Sequence, residues 1–137
     1  MFGKILLAVD GSPQSDKAVQ LAAKVAAPTG DEVIVTHVVE VVPTKVGVSE
    51  SELREDAEQL VERQVKELTA AGVNASIWLG RAPNGSVGRV LVNGATEHRA
   101  GLIVMGSRGR SDLGSLLLGS VAHQVLHHSH CPVLIAR

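Results

Sequence analysis

A chain of 137 residues, 45% hydrophobic and 20% charged, has the size and composition of one domain with one core, spanning residues 1–137. A formal net charge of −1 and a pI near 6.6 exclude the broad basic face of a nucleic-acid binder, and the lone Cys131 excludes an intrachain disulfide framework of the secreted kind. The first apolar run, residues 5–9, is too short for a signal segment or a membrane span, so the expected setting is cytoplasmic, with neither nucleic acid nor membrane as partner.

Five short apolar runs, at 5–9, 33–39, 75–79, 102–105 and 133–136, are largely continuous rather than alternating, as expected of parallel strands buried on both faces. Helical patterns separate them. After the first run, Ser12 is the expected N-cap and Pro13 the first helical residue, with Ala18, Leu21, Ala22 and Val25 on the apolar face and Gly30 beyond the end. Residues 42–48, with Pro43 and Gly47, read as a loose loop. Ser49-Glu50-Ser51-Glu52 then reads as a capping box opening a second helix whose inner face holds Leu53, Ala57, Leu60, Val61 and Leu68. Glu62 and Lys66 form an i,i+4 pair, and Gly72 follows the helix. A third helix uses Val87, Val90, Leu91 and Ala95 despite Gly88 and Gly94, each costing roughly 1 kcal/mol relative to alanine. The fourth uses Leu118, Val121, Ala122 and Val125. Strict β-α alternation of this kind implies an α/β fold with a parallel sheet between helical layers and right-handed crossovers.

Open sheets of this class bind ligands beyond the carboxyl ends of their strands, where the winding reverses. Only the fourth strand end is glycine-rich. There Gly106 and Gly109 let backbone approach an anion closely, and Gly119-Ser120 at the start of the last helix offers free N–H groups and a hydroxyl. A flexible glycine-rich connector is the alternative reading. Residues 114–120 superficially resemble a Walker A loop, but Ser120 stands where its lysine should be, which disfavours a P-loop NTPase. A receiver domain would need an aspartate at the end of the third strand, where Leu79-Gly80 stands. Nor is Asp10-Gly11-Ser12-Pro13 a flavodoxin-type phosphate loop. With Phe2 and Trp78 as the only aromatic residues, a bound base must be gripped by aliphatic groups and backbone.

The spacing G-x2-G-x9-G-[S/T], met by Gly106, Gly109, Gly119 and Ser120, resembles that of the ATP-binding branch of the universal stress protein family. Similarity extends over nearly the whole chain, through the segments at 5–12, 36–38, 102–107 and 131–135. The resemblance implies an α/β three-layer, doubly wound, Rossmann-like sandwich with a five-stranded parallel sheet in the order 3-2-1-4-5. It implies that Ala8, Val9 and Asp10 line the nucleoside end, with Asp10 near the ribose or a metal, and that Val38 meets adenine through its backbone. Met105 and Gly106 would flank the nucleoside; Gly109, Gly119, Ser120 and Val121 would hold the phosphates of ATP, with Mg²⁺ offsetting their charge. It further implies a homodimer through the last strand, Pro132 at its start and Ala136 at its end. The placement of the 42–48 loop and the glycine loop beside the site points to a nucleotide-dependent sensor or switch in the stress response, whose occupancy orders both loops and changes a surface read by an unknown protein partner. Asp10 can equally be a turn residue before Gly11, and the roles of Arg108 and Arg110 stay open.

No catalytic arrangement accompanies the glycine motif: Asp10 and Asp112 are the nearest acids, and there is no nucleophile elbow. His123, His127, His128 and His130 crowd the end of the last helix, but Gln124 replaces the glutamate of the zinc-protease motif, so these side chains read as C-terminal polar groups suiting the helix dipole. A slow ATPase or nucleotide-metabolising enzyme, and a nucleotide-free interaction module, are the alternatives to a nucleotide-dependent switch.

Overall fold

The computed structural model describes residues 1–108 and 118–137. The chain runs β1 (Lys4–Ala8), α1 (Pro13–Ala26), β2 (Glu32–Thr44), β3 (Gly47–Glu50), α2 (Arg54–Ala70), β4 (Ala75–Pro83), α3 (Val87–Glu97), β5 (Leu102–Gly106), α4 (Ser120–His128) and β6 (Val133–Ala136). The five expected strands are all parallel and lie in the order β4-β2-β1-β5-β6, which is the 3-2-1-4-5 arrangement with β3 as an additional, antiparallel member.

Continuous apolar runs are explained by the two faces they serve. Ile5, Leu7, Val33, Val35 and Val104 point to a core closed by Ala18, Val19 and Ala22 of α1 and Leu60, Val61 and Leu68 of α2. Their neighbours Leu6, Ile34, Val38, Ile103 and Met105 point the other way, onto Leu91, Val92 and Ala95 of α3 and Ala122 and Val125 of α4. Side chains alternate along a strand, so a strand covered on both sides must be apolar at successive positions. The third helix tolerates its glycines because close packing needs them. A Cβ at Gly94 would sit 2.3 Å from the Trp78 ring, and one at Gly88 would sit 2.5 Å from Gln124 Cβ on α4.

The loop expected at residues 42–48 is instead a hairpin, and the sheet has six strands rather than five. The β-branched run carries β2 through Thr44, well past the end of β1, which pairs with it only as far as Ala8 opposite Thr36. The Ser51 amide donates to the Glu40 carbonyl, whereas Asn84 donates to that of Val41. Successive carbonyls face opposite edges of a strand, so β3 takes the edge of β2 that β1 vacates, and β4 keeps the other. Pro43 is accommodated because its nitrogen faces the β4 edge, where β4 has already ended opposite Val41.

The capping box is also corrected. Ser49 and Glu50 belong to β3, α2 starts at Arg54 after Leu53 with no side-chain cap, and Leu53 is exposed instead of joining the inner face. Glu55 and Asp56 in the first turn suit the positive end of the helix dipole. The i,i+4 ion pair on this helix is Arg54–Glu58 at 3.5 Å, not Glu62–Lys66. At the first helix the expectation holds: the Ser12 hydroxyl accepts from the Ser15 amide at 3.1 Å and Pro13 opens α1.

Candidate functional site

Three chain ends converge beyond the carboxyl edge of the sheet. β1 delivers Ala8 and Val9, with the Val9 amide still bonded to the Thr36 carbonyl at 2.9 Å, and the chain then turns at Asp10. Asp10 Oδ1 accepts the Ser12 amide at 2.9 Å while the Asp10 amide donates to Ser15 Oγ at 3.0 Å. Asp10 therefore does serve as a turn residue, but only through one oxygen; Oδ2 accepts none of the hydrogen bonds seen among the described residues.

β5 delivers Met105 and Gly106 beside this turn. A Cβ on Gly106 would lie 2.8 Å from Gln14 Cβ and 2.9 Å from the Gln14 carbonyl carbon, so the first turn of α1 occupies the space a side chain would need. Next, the Ser107 amide donates to Ala136 at 2.8 Å, and the Gly119 amide donates to the Ser107 carbonyl at 2.7 Å. That bond sets the N-terminus of α4 against the end of β5. Gly119 is the N-cap and supplies no side-chain acceptor, so the amides of Ser120, Val121 and Ala122 have no intrahelical partner at the positive end of the helix.

These groups line a cavity of about 250 Å³, comparable with the smaller ligand clefts. Ala8, Val9, Asp10, Val38, Met105, Gly106, Gly119, Ser120 and Val121 all border it. Gly109 lies outside the described residues. The structure adds a wall the sequence did not announce. His37, Glu40, Ser51 and Glu52 come from β2 and the segment after β3, and Val87 and Leu91 come from α3. His37 is buried, with Nδ1 2.7 Å from the Val9 carbonyl oxygen and Nε2 2.6 Å from Glu52 Oε1. Arg108 also borders the cavity, so its charged described lining is Asp10, Glu40 and Glu52 with Arg108 and, when protonated, His37. The lining combines the apolar Val38, Val87, Leu91 and Met105 with hydroxyls and carboxylates, and the amides at the start of α4 suit an anionic group.

The histidines of α4 make no comparable site. The His123 and His127 rings stack at 6.4 Å and His128 meets His127 edge-on at 4.8 Å. Desolvation, helped by Arg89 and His127, holds His128 below its ordinary pKa, so it resists the positive charge that the dipole would favour. Among the described residues no group of three or more His, Cys, Asp or Glu side chains is placed to hold a metal ion. Cys131 is half-buried in the turn before β6, where its amide donates to Ser129 Oγ at 3.2 Å. No helix among the described residues is long and apolar enough to cross a membrane.

The Universal stress protein family profile matches residues 1–137. Universal stress protein YxiE of Bacillus subtilis is 34% identical over 151 residues, covering 100% of both chains. Among solved structures, the hypothetical protein MJ0577 superposes with a TM-score of 0.83 at 25% identity, covering 99% of this chain and 96% of its own. A universal stress protein in complex with cAMP gives a TM-score of 0.70 at 26% identity, covering 99% and 97% respectively.

Proposed function

The chain belongs to the universal stress protein family, and from that premise we propose that it binds an adenine nucleotide, ATP with Mg²⁺, in the cavity at the carboxyl ends of β1, β2 and β5. The observation that carries this is the N-terminus of α4, whose first three residues have amides with no intrahelical partner and border the same cavity as Asp10 and the apolar groups Val38, Leu91 and Met105. Helix N-termini of this kind bind phosphate through both free N–H groups and the dipole. A relative 26% identical over almost its whole length is complexed with cAMP, which supports an adenine nucleotide as the ligand class.

On this reading Ala8, Val9 and Val38 hold the nucleoside with Met105 and Gly106, and Gly119, Ser120 and Val121 hold phosphate, together with Gly109. The oxygen-rich lining fits a hard cation: Mg²⁺ takes one or two carboxylates and completes its shell with phosphate and water. Asp10 would hold it, and the cation would screen the phosphates from Asp10, Glu40 and Glu52. With no catalytic base in place on the sequence motif, the protein acts as a switch: occupancy changes the surface around the β2–β3 hairpin that a partner reads. A cytoplasmic homodimer paired along the outer edge of β6, from Pro132 to Ala136, is the form in which it works.

Calorimetric titration with Mg²⁺–ATP, AMP and cAMP tests the assignment. One site per chain is expected, lost in Gly119→Val, where a branched side chain would fill the cradle. Phosphate release that Gly119→Val abolishes would turn the switch into a slow ATPase. Absence of heat with all three nucleotides would overturn nucleotide binding altogether.

A further inference from the structure

The contact between His37 and Glu52 fixes a proton count. Nδ1 faces the Val9 carbonyl oxygen at 2.7 Å, and a carbonyl oxygen can only accept, so Nδ1 must carry hydrogen. Nε2 faces Glu52 Oε1 at 2.6 Å, and a carboxylate oxygen likewise only accepts. Both contacts stand together in two forms alone: imidazolium with carboxylate, or neutral imidazole with a protonated Glu52 donating to Nε2. Each form holds one proton more than neutral imidazole plus carboxylate. Removing that proton sets two acceptors against each other, at Nε2 or at Nδ1, and one contact must open.

What opens matters because of where the two ends lead. Val9 is the last residue before the Asp10 turn, and Glu52 follows the β3 strand, whose neighbour Ser51 is tied to Glu40 at 2.9 Å. His37 thus spans from the floor of the cavity to its wall. We propose that His37 is a positioning residue of this cavity, fastening the wall at Ser51 and Glu52 to the end of β1 by a clasp that closes only when the pair holds its extra proton.

The surrounding charges are mixed. Asp10 after β1, Glu40 on β2 and Arg108 after β5 border the same cavity, while α1 contributes the uncharged Ser15 and α3 and α4 contribute no charged side chain to it among the described residues. Glu40 accepts from the Gly85 amide at 3.2 Å, Glu50 on β3 lies 3.7 Å from Arg81 of β4, and Arg54, Glu55 and Asp56 open α2 just after the clasp. The clasp holds the wall that the nucleotide reading sets against the ligand. Resting on the nucleotide reading, the consequence is that ligand affinity falls as pH rises through the deprotonation of the pair.

The test uses the full chain, first without ligand. Two-bond ¹H–¹⁵N spectra across a pH series report the protonation of the His37 ring, and hydrogen exchange reports the protection factor of the Ser51 amide, which donates to the Glu40 carbonyl. Loss of the proton is expected to coincide with a drop of about tenfold or more in that protection factor. In Glu52→Gln the carboxamide N–H donates to Nε2 of a neutral ring, so the clasp should persist across the series with protection unchanged. Mg²⁺–ATP affinity should then fall towards about tenfold per pH unit in the wild type, the limit for linkage to one proton, and stay level in Glu52→Gln. Titration of His37 without any change at Ser51, a ring protonated only at Nε2 at the acidic end of the series, or the same pH profile in Glu52→Gln would overturn the proposal. A clasp that behaves as described in a chain that binds no nucleotide at any pH would leave the clasp standing and sink the nucleotide reading.

Discussion

Gly106→Ala separates two reasons for a glycine at the end of β5. If Gly106 served only the approach of a ligand, the substitution would leave the free protein unharmed. Its backbone is extended and carries no left-handed φ, so alanine would even gain about 0.4–1 kcal/mol by restricting the unfolded chain. The structure argues otherwise, since the new Cβ would meet Gln14 Cβ at 2.8 Å, its carbonyl carbon at 2.9 Å and its carbonyl oxygen at 3.0 Å. Two of those atoms are helix backbone and cannot swing aside. Overpacking of this kind costs about 1–3 kcal/mol, leaving a net loss of about 1.3 kcal/mol at the middle of both ranges and about 2.6 kcal/mol at most. For a chain of this length, at roughly 2.1 cal/mol/K of unfolding entropy per residue, the middle value lowers Tm by roughly 4–5 °C. Thermal and urea unfolding of the nucleotide-free protein measure it. Because the displaced segment is the Asp10 turn and the start of α1, nucleotide affinity should fall as well. A free protein within about 0.5 kcal/mol of wild type would refute the packing argument.

Gly94→Ala places a methyl 2.3 Å from the Trp78 ring. The gain in helix propensity is about 1 kcal/mol and is outweighed, so net destabilisation by urea unfolding is expected, with a shift in Trp78 fluorescence; a stabilised variant would show that the ring yields freely. Asp31 accepts the amides of Phe2 and Gly3 at 2.9 and 3.0 Å and the ammonium of Met1 at 2.9 Å. The Phe2 hydrogen bond first, then the ammonium, lowers its pKa from 3.8 to about 2. The folded state therefore holds this proton less tightly than the unfolded one, so the stabilisation is complete above pH 4 and lost as pH falls towards 2. Asp31→Asn should be less stable at pH 7 and show a shallower loss between pH 4 and 2; parallel pH–stability curves would contradict this.

The parallel scaffold was legible because burial on both faces forces uninterrupted apolar runs, and Ile5, Leu6 and Leu7 alone reveal a strand between two layers. The β2–β3 hairpin was not. Pro43 and Gly47 are ordinary breakers, and nothing local says that β1 stops at Ala8 and leaves an edge of β2 open to a second strand. The same hidden pairing turned a capping-box pattern at 49–52 into a strand end. In the site, the glycine spacing led to the start of α4 and the end of β5, and Asp10 followed from its place after β1. His37 and Glu52 were missed because they lie 15 residues apart with no motif between them. An ionisable side chain inside an otherwise apolar strand was the one available signal.

Amide NMR titration of the ¹⁵N-labelled chain with Mg²⁺–ATP decides whether this cavity takes an adenine nucleotide. Binding there gives saturable shifts concentrated at Val9, Asp10, Val38, Met105 and Gly106 and at Gly119, Ser120 and Val121. No shifts at millimolar nucleotide, or shifts centred instead on the His123–His127 face of α4, would contradict it.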